Sequence, residues 1–220
     1  MSAVTAGWAF TAACGVAVAA MLVTTRVGPR RAEWALKPLA ASSFVAAAIA
    51  WGALDSRFGT ALLVGLGCSW WGDVLLISRS KRLFLAGLVA FLLGHVAYAV
   101  AFALRGVDPT VTGIALAGAA VAVVPVARWL LPHVEPPMKL PVLAYMTVIS
   151  AMVALAIGTV AAHGAGGAPW IVVGAVGFYL SDLSVARDRF VAPGWDNKLW
   201  GWPLYFGAQC VLAWCVTATA

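Results

Sequence analysis

Long apolar runs, separated by short polar intervals, fill almost the whole chain. A helix needs about 20 consecutive, mainly apolar residues to cross the hydrocarbon of a bilayer. Eight runs meet that need, approximately Gly7–Thr25, Leu36–Leu54, Gly59–Ser78, Leu83–Leu104, Val111–Leu131, Leu140–Ala162, Ala168–Ala186 and Leu199–Thr217. The intervals hold the chain breakers: Gly28-Pro29, Asp108-Pro109, Glu135-Pro136-Pro137, Gly164 to Pro169, and Pro193-Gly194. No soluble insertion, low-complexity linker or clear internal repeat interrupts the series. The pattern predicts an all-α polytopic integral membrane protein, with eight transmembrane helices in one bundle and residues 1–220 as a single transmembrane domain.

Composition agrees. Of the 220 residues, 63% are hydrophobic and 10% charged, against roughly a quarter charged in soluble domains. One soluble core cannot hide that much apolar surface. The 22 glycines suit close helix packing in lipid, and the 11 tryptophans suit interfacial belts. Cys14, Cys68, Cys210 and Cys215 all fall inside apolar runs without a CxxC spacing, and read as small packing residues. The first run has no Lys or Arg before it, so it lacks the basic leader of a signal peptide and is expected to be a retained helix.

The net charge of +6 raises nucleic-acid binding, but the basic residues sit in short loops without interleaved aromatics, so no nucleic-acid partner is expected. They act instead as topology signals. The odd-numbered loops hold Arg26, Arg30, Arg31 and Lys37; Arg79, Lys81 and Arg82; Arg128 and Lys139; and Arg187, Arg189 and Lys198. The even-numbered loops hold only Arg57 and Arg105. This places the odd loops in the cytoplasm and both termini outside. The expected residence is a cell membrane, the inner membrane of a bacterium.

An ionisable side chain within a span is costly and marks a candidate functional site. Asp73 lies in the third run, Asp182 in the seventh and His95 in the fourth. At 1.5 Å per residue, Asp73 is roughly 8 Å and Asp182 roughly 6 Å inside the cytoplasmic end of its run. Two acids on separate helices therefore share one depth. Lys37 opens the second run. Tyr145 and Tyr205 are each about one and a half turns into the sixth and eighth runs, and Gln209 follows Tyr205 on the same face. His95 falls near the midplane. Together these groups can line a pocket open to the cytoplasmic leaflet, where two carboxylates in different protonation states supply a general acid and a general base. A structural role competes with this: an intramembrane Asp also pairs with a neighbouring Lys or Arg, or accepts from a Tyr, and His95 alone fits a structural hydrogen bond. His95, His133 and His163 do not make a three-histidine metal site. The Trp70-Trp71 pair reads as packing or an interface anchor, and Asp55, Asp108, Glu135, Asp188 and Asp196 as solvated loop residues.

Ordered motifs run over nearly the whole chain: Lys37-Pro38-Leu39; Ser69 with Gly72-Asp73-Val74-Leu75-Leu76; Phe84-Leu85-Ala86-Gly87 with Phe91, Gly94-His95 and Tyr98; Tyr145-Met146; Gly174, Gly177-Phe178 and Ser181-Asp182 followed by Arg187 and Phe190; and Tyr205 with Gln209. Together they resemble the YhhN-type lysoplasmalogenase family. Trp70-Trp71 departs from the smaller or aliphatic residues expected before Gly-Asp, which bears on acyl-chain fit. The resemblance implies a membrane hydrolase that cleaves the vinyl-ether bond of lysoplasmalogens to a fatty aldehyde and a glycerophospho-alcohol. It implies no cofactor and no metal; the partners are the lysophospholipid substrate and membrane lipids. Asp73 and Asp182 are then the catalytic pair. Lys37, Ser69, His95, Tyr145, Ser181, Arg187, Tyr205 and Gln209 are the substrate-binding candidates, with Lys37, and after it Arg187, expected to meet the lipid phosphate.

Two other classes also use membrane aspartates. An intramembrane aspartyl protease carries Gly-x-Gly-Asp and Tyr-Asp motifs. Here Trp70 stands two before Gly72, and Tyr179 stands three before Asp182. A proton-coupled small-molecule or lipid transporter uses buried acids as relays, and Pro125 in the fifth run is a candidate helix break for it.

Overall fold

The computed structural model describes residues 2–28, 31–78, 80–164 and 168–219. Pro29, Arg30, Arg79 and the 165–167 part of the sixth loop, named above as breakers or topology signals, lie outside the described residues. Eight long helices account for nearly all of what is described: α1 Ala3–Val27, α2 Arg31–Ala50, α3 Arg57–Leu76, α4 Lys81–Arg105, α5 Pro109–Leu130, α6 Pro136–His163, α7 Ala168–Ala186 and α8 Trp195–Trp214. Six of them, α1 and α3 to α7, are long and apolar enough to cross a membrane on those grounds alone. The other two are 20 residues each, about 30 Å at 1.5 Å per residue, and so also match the hydrocarbon thickness. Their lower apolarity comes from Arg31, Glu33 and Lys37 in α2, and from Asp196, Lys198 and Gln209 in α8. Lys37 and Gln209 are buried inside the bundle.

The predicted runs and the helices differ mostly at their ends. α2 stops at Ala50 rather than Leu54, because Gly52 takes a left-handed φ of 87° and begins a turn that Asp55 N–H closes onto the Gly52 carbonyl at 3.0 Å. Ser56 then caps α3 by accepting from Gly59 N–H at 2.9 Å. Asp108, read from the sequence as solvated, caps α5 by accepting from Val111 N–H at 2.8 Å. α5 runs through Pro125 without a break, so the one candidate midplane break is absent. α7 ends at Ala186 as predicted but continues as one π-helical turn, Arg187–Val191.

Packing follows the chain order with one exception. α1 packs on α2, α2 on α3, α3 on α4, α6 on α7, α7 on α8, and α8 returns to α1, α2 and α3. The exception is α5, which packs chiefly on α6, while α4 passes it to meet α6 directly. Seven helices thus close a ring, and α5 stands outside it, with only Thr112 and Leu130 buried. Trp8, Trp51, Trp170 and Trp214 gather at one end of the bundle, with ring centroids 5.4–6.3 Å apart along the chain of contacts. Such an aromatic belt belongs at a membrane interface.

The α3–α4 contact is the most extensive, and it depends on small residues that let helices approach in lipid. A Cβ at Gly65 would lie 2.3 Å from the Tyr98 ring, whereas one at Gly67 would meet nothing within 4 Å. Gly65→Leu is therefore expected to cost about 1–3 kcal/mol by overpacking. It should lower the thermal unfolding midpoint in detergent, while Gly67→Leu leaves it unchanged; equal midpoints would refute this account of the interface.

Candidate active site

Asp73 stands near the C-terminal end of α3 and is 1% exposed. A buried carboxylate needs a cation or several donors. Two helices supply them. Lys37, from the second turn of α2, places Nζ 3.2 Å from Asp73 Oδ1, and Tyr205 of α8 donates its hydroxyl to Oδ2 at 2.7 Å. Asp182, in the last turns of α7, is held in a parallel way. Tyr145 of α6 donates to Oδ2 at 2.7 Å, and His95 Nε2 of α4 lies 3.6 Å from the same oxygen. Each acid thus has one tyrosine and one nitrogen base, all brought from other helices.

An aromatic cluster links the two arrangements. Phe91 and Phe178 meet edge to face with centroids 6.0 Å apart; Tyr205 packs on both, at 5.7 and 5.3 Å; and the His95 ring lies 4.3 Å from Phe178. Both carboxylates open on one cavity of about 990 Å³, its open mouth included. Lys37, Asp73, Tyr145, Tyr179, Ser181, Asp182, Ser184 and Tyr205 form its polar wall. The rest is apolar, with Leu88 of α4, Val126 and Leu130 of α5, Val142 and Met146 of α6, and Phe190 of the π turn among the lining residues. A mostly apolar concavity with a few convergent polar groups is the usual form of a small-molecule site.

Three other sequence candidates, Ser69, Gln209 and His95, fall outside that wall. Ser69 is fully buried one turn before Asp73, under the close approach of Gly94. Gln209 accepts from Tyr98 O–H at 2.6 Å. It is one turn past Tyr205 but does not reach the cavity. His95 is behind Asp182 rather than on the surface of the cavity. Ser181 lines the cavity, yet its hydroxyl donates to its own helix at the Phe178 carbonyl, 2.7 Å away.

Lys37, expected at a phosphate, faces Asp73 and lines the cavity. Arg187 is bonded to Asp196 at 2.5 Å and to Asn197. Asp188, read as solvated, accepts from Gly194 N–H at 2.9 Å and Asn197 Nδ2 at 3.1 Å. Arg187, Asp188, Asp196 and Asn197 together knit the α7–α8 connection. The Trp70-Trp71 pair is also clear of the cavity. Trp70 donates to Ser42 at 3.0 Å, and Trp71 faces outward, 58% exposed.

Sequence reasoning missed Arg189. Its guanidinium sits over the Phe84 ring, 4.2 Å from the centroid, and Phe84 and Phe190 both line the cavity. No carboxylate among the described residues pairs with it. The signal was present in Phe84, at the start of the fourth run, and Phe190, just after the seventh, but nothing in the sequence joined them.

The YhhN family model matches residues 32–216 of this chain. The chain belongs to the YhhN family. It is 36% identical over 156 residues to the lysoplasmalogenase TMEM86B of Homo sapiens, covering 70% of this chain and 62% of that protein. It is 35% identical over 163 residues to the lysoplasmalogenase TMEM86B of Rattus norvegicus, covering 74% and 64%. This YhhN-family chain therefore spans a little under two thirds of the length of those curated relatives. No solved structure matches it.

The Lys37–Asp73 pair makes a stability prediction. Removing one partner of a buried pair costs about 3–5 kcal/mol, because an uncompensated charge is left behind. Lys37→Met is expected to lower the unfolding midpoint sharply, and adding Asp73→Asn should recover part of the loss. A double variant no more stable than Lys37→Met would show that the two groups are not coupled.

Proposed function

We propose that this YhhN-family protein hydrolyses the vinyl-ether bond of lysoplasmalogens, releasing a fatty aldehyde and a glycerophospho-alcohol such as glycerophosphoethanolamine or glycerophosphocholine. The lysoplasmalogenase name of its relatives supplies the substrate class. The observation that carries the reading is the pair of carboxylates, Asp73 and Asp182, facing one apolar cavity within the membrane.

Vinyl-ether hydrolysis needs a proton on the β-carbon. The π electrons then move toward the ether oxygen, giving an oxocarbenium ion. Water adds to the α-carbon and loses a proton to a base. The hemiacetal collapses to aldehyde and alcohol, with the alkoxide taking up a proton. Two carboxyl groups manage a similar cation in glycoside hydrolysis. Here one of Asp73 and Asp182 is the acid, and the other stabilises the cation and receives the proton from water. Tyr145 and Tyr205 hold the two carboxyls in place through their hydroxyls.

The fatty chain lies in the apolar part of the cavity, toward the face where α5 stands off the ring. Arg189 takes the phosphate in place of Lys37 and Arg187, because its guanidinium is at the cavity's aromatic rim without a carboxylate partner among the described residues. The whole chain acts as one transmembrane domain in a cell membrane, with the acid-bearing end toward the cytoplasm and both termini outside. The fourteen Lys and Arg residues, concentrated in the odd loops, support that orientation.

The decisive assay is aldehyde release from a defined lysoplasmenyl lipid by protein purified in detergent. Wild type should turn over, with or without a chelator. Asp73→Asn and Asp182→Asn, if folded, should each lose at least about 100-fold in kcat, the scale of general acid–base catalysis. Arg189→Ala should raise KM about tenfold, equivalent to about 1.4 kcal/mol. Folded wild type that releases no aldehyde would sink the reading. For orientation, single cysteines at Ser2 and Arg82 in a cysteine-free background should react oppositely with an impermeant thiol reagent. Ser2 should label from outside intact cells and Arg82 only after permeabilisation; the reverse result would invert the topology.

A further inference from the structure

The hydrogen-bond geometry around His95 bears on which carboxyl is the acid. His95 is fully buried, and its Nδ1 lies 2.7 Å from the Phe91 carbonyl oxygen. A carbonyl only accepts, so Nδ1 carries a hydrogen. In the neutral ring Nε2 is then a bare lone pair. It has no hydrogen-bond partner among the described residues, and it points at Asp182 Oδ2 from 3.6 Å. A lone pair aimed at an ionised carboxylate in a dry site is repulsive and leaves a buried acceptor unsatisfied. One proton placed between the two atoms removes both penalties, whether it resides on Oδ2 or on Nε2.

The surroundings fit one such proton. Tyr145 donates to Asp182 Oδ2 but has no second hydrogen to give. The Tyr145 ring packs edge to face on His95, with centroids 5.1 Å apart, and Phe178 covers the other side at 4.3 Å. The nearby cation, Lys37, is engaged by Asp73, whose second oxygen takes the Tyr205 hydroxyl. Asp73 therefore has a counter-charge, and Asp182 has a proton acceptor instead.

We infer that Asp182 and His95 hold one proton between them, and that this proton is the acid of the reaction. Asp73, paired with Lys37, is the ionised carboxylate. His95 does not line the cavity, so it is a positioning residue that acts through Asp182. In the forward step the shared proton leaves Asp182 and forms the new C–H bond on the vinyl β-carbon. Asp73 accepts the proton released when water adds. On collapse of the hemiacetal, the glycerol oxygen takes the Asp73 proton, and the hemiacetal hydroxyl proton returns to the Asp182–His95 pair. The net change is the addition of one water, with both acids restored.

The role in catalysis rests on the proposed hydrolysis; the location of the proton does not, and the test separates them. Infrared spectra of protein with isotope-labelled aspartate, and nitrogen NMR with labelled histidine, are to be recorded in lipid nanodiscs at neutral pH. The expected result is either a carboxylic-acid carbonyl band that Asp182→Asn removes or an imidazolium signal that His95→Gln removes. An ionised Asp182 beside a neutral His95 in wild type overturns the inference, whatever the variants do. With turnover, His95→Gln should lower kcat about 100-fold with KM nearly unchanged. A variant that changes only KM, or a folded variant with wild-type kcat, overturns the role assigned to His95. If wild type cleaves no vinyl ether, the proposed reaction fails while the spectra still decide the proton.

Discussion

Two aspartates inside a membrane can persist only if something near them compensates for lost water, and the rest of this bundle is arranged around that need. An isolated buried carboxylate is far more costly than any single packing contact. The structure meets the cost differently at the two positions. Asp73 receives a cation from α2 and a hydroxyl from α8. Asp182 receives a hydroxyl from α6 and faces an imidazole from α4. Six helices are thereby tied to two carboxyl groups. Their shared end of the bundle is polar within an otherwise apolar protein.

The same arrangement makes room for a ligand. α3 and α4 are drawn tightly together by Gly65, Gly72 and Gly94, and α4 continues past α5 to reach α6. α5 is left on the outside, contributing Val126 and Leu130 to the wall. The π turn after α7 places Phe190 at the cavity and Arg189 over Phe84, while Arg187 turns back to Asp196 and Asn197. Of these two arginines, Arg187 meets a carboxylate, while Arg189 meets an aromatic face and no carboxylate among the described residues.

Much of this was legible from local pattern. Each run of about 20 apolar residues announced a span, since the bilayer imposes that length wherever the backbone must satisfy its own hydrogen bonds. Helical rise then put Asp73, Asp182, Tyr145 and Tyr205 at one depth, and the structure joins them at hydrogen-bond distance. Depth does not give azimuth. Ser69 and Gln209 have suitable depth and polarity, yet they sit behind the cavity wall. Lys37 had the right position, but its carboxylate partner was not legible, because a charge–phosphate contact and a charge–carboxylate contact look the same in one sequence.

The sequence by itself determined the fold class, the spans, and the identity of the two acids, because hydropathy and helical rise act along the chain. It also carried the family motifs. Only the tertiary structure decided the order of helices around the ring, the displacement of α5, the pairing of Lys37 with Asp73 and of His95 with Asp182, and the place of Arg189 at the rim. Those features depend on how helices rotate about their own axes and which neighbours they meet. That is settled by close packing between residues up to 132 positions apart, as in Tyr205 and Asp73, and no local pattern encodes it.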